Sequence, residues 1–144
     1  MSIKDALLTF SDAQALTATA DSENTIDLGA GEDAWGSTVT APEFAQGKPM
    51  WLNVVVQTVL ASAGKAATLT TTLYTGANTG AITTAALATA AIAEASLAAG
   101  YCILSVPLPM GLSRYLKLTY TVGTENFTSG AIDAWIGFEP YKAA

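Results

Sequence analysis

Met50-Trp51-Leu52-Asn53-Val54-Val55-Val56-Gln57-Thr58-Val59-Leu60 is the strongest strand signal in the chain, and its alternation decides the fold. Successive side chains of a strand point to opposite faces, so Met50, Leu52, Val54, Val56 and Leu60 share one face. Trp51, Asn53, Val55, Gln57 and Val59 share the other. The second face is half apolar as well, which predicts a central strand covered on both sides, with Trp51 in core or inter-sheet packing. Gly47-Lys48-Pro49 just before it is a turn signal.

The same period of two recurs outward from this run. Ala67 to Thr75 sets Leu69, Thr71 and Leu73 against Thr68, Thr70, Thr72 and Tyr74. The loop Ala61-Ser62-Ala63-Gly64-Lys65 between the two runs suggests a hairpin. Tyr101 to Pro107 is a third strand. Ser113 to Val122 is a fourth, with Leu116, Leu118, Tyr120 and Val122 opposite Tyr115, Lys117, Thr119 and Thr121. Ala131 to Phe138 closes the series, with Ile132, Ala134, Ile136 and Phe138 opposite Asp133, Trp135 and Gly137. Weaker signals lie near 6–10, 15–20 and 25–28. About eight short antiparallel strands with Gly, Pro and Ser turns predict an all-β, jelly-roll β-sandwich in a single domain. Residues 29–47 read as a long loop carrying Trp35. Residues 81–100 are open between a helical turn or two and a strand-loop-strand return.

Composition bounds the chemistry. The 144 residues hold no histidine, a single cysteine, six Lys or Arg and twelve Asp or Glu, for a net charge of −6. One cysteine allows no internal disulfide, and Cys102 within Tyr101-Cys102-Ile103-Leu104 reads as a small core hydrophobe. The basic residues Lys4, Lys48, Lys65, Arg114, Lys117 and Lys142 are scattered singly, so no nucleic-acid backbone and no anionic membrane is an expected partner. The expected partners are neutral or basic protein surfaces. No secretory leader opens the sequence and no run is apolar enough to span a bilayer, which places synthesis and first use in a cytoplasm. Charged residues make up only 12% of the chain against about a quarter in ordinary soluble domains, which implies that part of the exterior is covered in an assembly.

Catalytic constellations are wanting. Zinc needs His or Cys ligands, and no cofactor motif occurs. The acidic pairs Asp21/Glu23 and Glu32/Asp33 fit solvated turns, and the latter matches no calcium loop. A glycosidase working with two carboxylates is the one enzyme class the composition leaves open.

Two blocks carry a resemblance. One is Leu8-Thr9-Phe10-Ser11-Asp12-Ala13-Gln14-Ala15-Leu16-Thr17-Ala18-Thr19-Ala20, continuing to Asn24-Thr25-Ile26-Asp27-Leu28-Gly29. The other runs from Pro107-Leu108-Pro109-Met110-Gly111-Leu112-Ser113-Arg114-Tyr115-Leu116-Lys117-Leu118-Thr119-Tyr120-Thr121-Val122-Gly123 to Phe127-Thr128-Ser129-Gly130-Ala131-Ile132. Together they resemble the capsid cement, or decoration, proteins of tailed bacteriophages, of the Bordetella podophage type. The resemblance implies a jelly roll on the outer capsid surface of the virion, assembled in the bacterial host cytoplasm. It implies the phage major capsid protein as partner and self-association as a homodimer or homotrimer. No catalytic residue, metal or cofactor comes with it.

The candidate capsid or oligomer contacts are an N-terminal arm over residues 1–5 (Met1, Ser2, Ile3 and Lys4 above all), Trp35 on the long loop, and Tyr115 and Trp135 as aromatics facing outward from terminal strands. The alternative is a carbohydrate-binding jelly roll on a tail fibre or surface appendage, with Trp35, Trp135 and Asp133 as its only plausible groove.

Overall fold

The alternating runs form strands because one face of each can be buried against another sheet. The structure, a computed structural model, describes residues 4–32, 38–40 and 49–142, with backbone only at 30–32 and 38–40. A single 3-10 turn (Ala6–Leu8), capped by the Asp5 carboxylate on Leu7 N–H, leads into β1 (Thr9–Ala15). Then come β2 (Ala20–Asp21), β3 (Ile26–Asp27), β4 (Ala30–Glu32), β5 (Thr38–Thr40), β6 (Trp51–Ser62) and β7 (Thr68–Gly76). The rest are β8 (Thr84–Ala88), β9 (Ile92–Ala93), β10 (Cys102–Pro107), β11 (Tyr115–Gly123) and β12 (Phe127–Gly137).

A four-stranded sheet runs β1-β12-β6-β10, and a second sheet runs β2-β11-β7-β8, with β3 beside β11 and β9 beside β7. The pairing is nested. First pairs with last (β1 with β12), β2 and β3 with β11, β6 with β10, and β7 with β8 and β9, all antiparallel. This is one long antiparallel ribbon rolled on itself, the winding of a jelly-roll sandwich.

The inner faces interdigitate. Leu52, Val54, Val56 and Leu60 of β6 and Ile132, Ala134 and Ile136 of β12 meet Leu69 and Leu73 of β7 and Leu116, Leu118 and Tyr120 of β11. Tyr120 is fully buried, so its hydroxyl needs a partner. Ser11 Oγ lies 2.8 Å away and gives its own proton to Gln14 Oε1 at 2.6 Å, which leaves the phenol to donate to Ser11. Gln14 in turn holds the end of β2 and the residues just after it, donating to Asp21 C=O and accepting from Glu23 N–H.

Several sequence expectations are corrected. β6 and β7 form no hairpin: β10 and β12 flank β6 on both sides, leaving it no free edge, so the chain crosses to the other sheet. Glu125, in the turn between β11 and β12, holds that crossing by accepting from Gly64 N–H (3.0 Å), Ala66 N–H (2.8 Å) and Ser62 Oγ (2.7 Å). These donors, Ala66 foremost, keep its carboxyl below the ordinary value. Ser62 Oγ also contacts Glu94. The 29–47 stretch is more than a loop, since β4 and β5 pair within it as a short ribbon. The 81–100 stretch resolves as β8, β9 and one 3-10 turn at Glu94–Ser96. Trp51 lies half-buried on the outer face of β6, away from the inter-sheet core, and Val59 is exposed. Phe138 falls just past β12 and is 61% exposed, because the alternation that would turn it inward ends with the strand at Gly137. Cys102 is half-buried, and burial pushes its thiol up.

Candidate functional site: the two outer faces of the sandwich

The register across the four-stranded sheet puts Thr9, Trp135, Asn53 and Ser105 in one row. Asp133, Val55 and Cys102 form the next. Parity turns both rows away from the inter-sheet core. Trp135 does point outward, as the alternation predicts, yet it is only 3% exposed. The outward direction holds, but the ring is covered, by Lys4 from one side and Tyr141 from the other.

Lys4 covers one side. Its Nζ sits 4.4 Å from the Trp135 ring centroid and 3.2 Å from Asp133 Oδ2. Asp133 Oδ1 also accepts from Ala13 N–H at 2.6 Å. That N–H reaches it because Ala13 takes a left-handed φ of 52° within the irregular register of β1. The C-terminal segment covers the other side. Tyr141 meets Trp135 edge to face, with centroids 6.2 Å apart at 77°. The buried Asn53 anchors this segment: its amide donates to Glu139 C=O (3.1 Å), and its Oδ1 accepts from Tyr141 N–H (3.0 Å) and Ser105 Oγ (2.7 Å). Among the described residues Trp135 Nε1 has no hydrogen-bond partner. An indole buried this way contributes through packing, with one donor left unpaired.

The opposite outer face, on the second sheet, is polar. Thr70, Thr72 and Tyr74 of β7 stand opposite Thr121, Thr119 and Lys117 of β11, with Thr68 (opposite Gly123) and Tyr115 (opposite Gly76) at the two ends of the row. Arg114 grips Asp27 with two hydrogen bonds (2.7 and 2.9 Å) and lies 5.1 Å over the half-buried Tyr115 ring. The guanidinium holds the Asp27 carboxyl below its ordinary value. Lys117 pairs with Asp21 at 3.1 Å, and Thr119 Oγ1 donates to the same carboxylate at 2.7 Å; the hydroxyl is the larger cause of its lowered pKa.

So the structure brings Lys4 and Trp135 together and places Tyr115 on the other face. Met1, Ser2, Ile3 and Trp35 lie outside the described residues. Sequence reasoning missed Asn53 and Tyr141; the one signal for Asn53 was an amide interrupting an apolar strand. No group of three or more Asp, Glu or Cys that could hold a metal occurs among the described residues. No helix among them is long and apolar enough to cross a membrane.

A family model described as Bbp16 matches residues 10–136, from the second residue of β1 to the penultimate residue of β12. The chain belongs to the Bbp16 family. The name points to a Bordetella phage protein. No curated protein matches the chain. The Bbp16 match takes in both sheets and stops short of Lys4 and of Tyr141, so the cover over Trp135 comes from segments outside it.

Proposed function

We propose that this Bbp16-family chain is a structural virion protein that binds the outer surface of a phage capsid. It bridges neighbouring major capsid subunits and stabilises the DNA-filled head, acting by contact and not by catalysis. The observation that carries the reading is the family match across the whole rolled ribbon. The sparse charge and the differently furnished outer faces support it. One face is an aromatic patch under the chain ends; the other is a ladder of threonines framed by ion pairs. Lys4 with the rest of the N-terminal arm, and Tyr115 with Arg114, are the contacts we assign to capsid or sister copies.

The physics is cumulative. A single junction of order 1,000 Å² gives a modest interface. Once one contact has formed, the next is made at high effective concentration, so weak contacts together resist internal pressure. A second reading, as a carbohydrate-binding module, loses its central platform, because Trp135 offers no open ring face for a sugar.

The test is co-sedimentation of purified protein with mature heads that lack it, followed by heat-induced DNA release. We expect saturable binding at a fixed ratio to capsid subunits and release at a higher temperature when the protein is present. Absence of binding, or identical release curves, overturns the assignment.

A further inference from the structure

Trp135, Asn53 and Ser105 are neighbours across β12, β6 and β10, a row on the outer face of the four-stranded sheet. The C-terminal segment that crosses this row is held lightly. Glu139 C=O and Tyr141 N–H bond to side chains of the sheet and not to strand backbone. That one N–H serves two acceptors, Asn53 Oδ1 and Ser105 Oγ, each at 3.0 Å. None of residues 138–142 is buried: Phe138, Glu139 and Lys142 are exposed, and Pro140 and Tyr141 are half-buried.

Beneath the segment the balance is reversed. Asn53 is fully buried and Trp135 nearly so, and among the described residues Trp135 Nε1 is a buried donor with no partner. An unpaired buried donor costs free energy, which an occupant offering an acceptor relieves. The row can therefore make one more hydrogen bond than its present cover supplies. The cover also shows what fits. A carbonyl and the N–H two residues further on, both bonded to the Asn53 amide, are groups that an extended backbone presents on one side.

We propose that residues 138–142 form a displaceable strap over a peptide-binding row, and that an extended backbone segment of the capsid partner replaces them on docking. The incoming segment bonds Asn53 as Glu139 and Tyr141 do, and places a further carbonyl on Trp135 Nε1–H. That extra bond is its advantage, since a ligand shifts an equilibrium only by what it gains over the competing state. Opening without a substitute strands the buried Asn53 amide, so the strap stays closed until one arrives. The row lies within the family match over residues 10–136 and the strap outside it. The partner rests on the proposed function; the row and the strap do not.

The probe is a blocked peptide of the sequence Phe138–Lys142, titrated into the full chain and into its Tyr141→Pro variant. Heteronuclear NMR follows the Asn53 side-chain amide and the Trp135 indole N–H. The substitution deletes the N–H shared by Asn53 and Ser105, which frees the row. We expect saturable shifts of both signals in Tyr141→Pro, and at least about tenfold more peptide needed in the unaltered chain, where the tethered strap competes at high effective concentration. No shift in a folded variant, or equal titrations, overturns the strap. Hydrogen exchange on the unaltered chain gives a second reading that needs no variant. The Tyr141 amide should exchange by local opening, whereas Val56 N–H, bonded to Tyr101 C=O at 2.9 Å, waits for global unfolding. A common rate overturns the strap. On mature heads, the strap should lose protection as the chain binds. Binding with the strap still protected overturns this occupant alone, whereas absence of binding overturns the capsid reading and leaves the row to be judged by the peptide.

Discussion

Replacing Gly130 by alanine tests the packing of β6 against β12. Gly130 sits where the register of these strands shifts, with φ at +130°, a region that side chains rarely enter. An added Cβ would lie 2.8 Å from Leu60 Cα and would collide with Leu60 Cδ2. The leucine side chain can rotate, but its Cα belongs to the central strand and cannot. Backbone strain costs about 1–3 kcal/mol. Overpacking adds about 1–3 kcal/mol more. Gly29 supplies the control: its φ is +82°, and an added Cβ meets nothing within 4 Å, so Gly29→Ala carries strain only. With an unfolding entropy near 2.1 cal/mol/K per residue, each kcal/mol lowers Tm by roughly 3 °C in a chain of this size. Gly130→Ala is expected to lower Tm by roughly 6–18 °C and Gly29→Ala by roughly 3–9 °C, read by calorimetry on both variants. Equal shifts would refute the reasoning, since the clash with Leu60 would then contribute nothing.

Three further outcomes follow from the same geometry. Trp135→Ala removes a buried ring and should cost about 3–5 kcal/mol in urea unfolding, whereas Lys4→Ala should cost under about 1 kcal/mol. A Trp135 value within about 0.5 kcal/mol of zero would instead mark an exposed contact residue. Tyr120→Phe deletes the donor to Ser11 and should cost about 1 kcal/mol. Burial lifts this phenol above the ordinary value of 10.0, so one of the five tyrosines should stay un-ionised in ultraviolet titration until the fold opens. Asp21, Asp27 and Glu125 all have lowered folded pKa values, so the stability they contribute is complete above their ordinary values of 3.8 and 4.5. It is lost as pH falls through the lowered ones. With no histidine to titrate, Tm should be flat from roughly pH 5 to 8 and fall below about pH 4, less steeply in Glu125→Gln; a step near neutrality would contradict this.

Much of the sandwich was legible in the sequence. Alternation assigned Leu52, Val54, Val56, Leu116, Leu118 and Ile132 to buried faces, because side-chain direction in a strand is fixed locally by the pleat. Composition excluded the chemistry that needs histidine or paired cysteines. The match to a phage family agrees with the resemblance carried by the two quoted blocks. Pairing was not legible. The loop after β6 looks like a hairpin turn, yet β6 finds β10 and β12, since partner choice depends on contacts distant in sequence. Nor did alternation tell whether an outward residue is exposed. Trp135 lies on the outer side of its sheet, and only the tertiary structure, by bringing Lys4 and Tyr141 over it from opposite ends of the chain, decided that it is buried. Which way a side chain points is a property of two adjacent peptides; what covers it is a property of the whole chain.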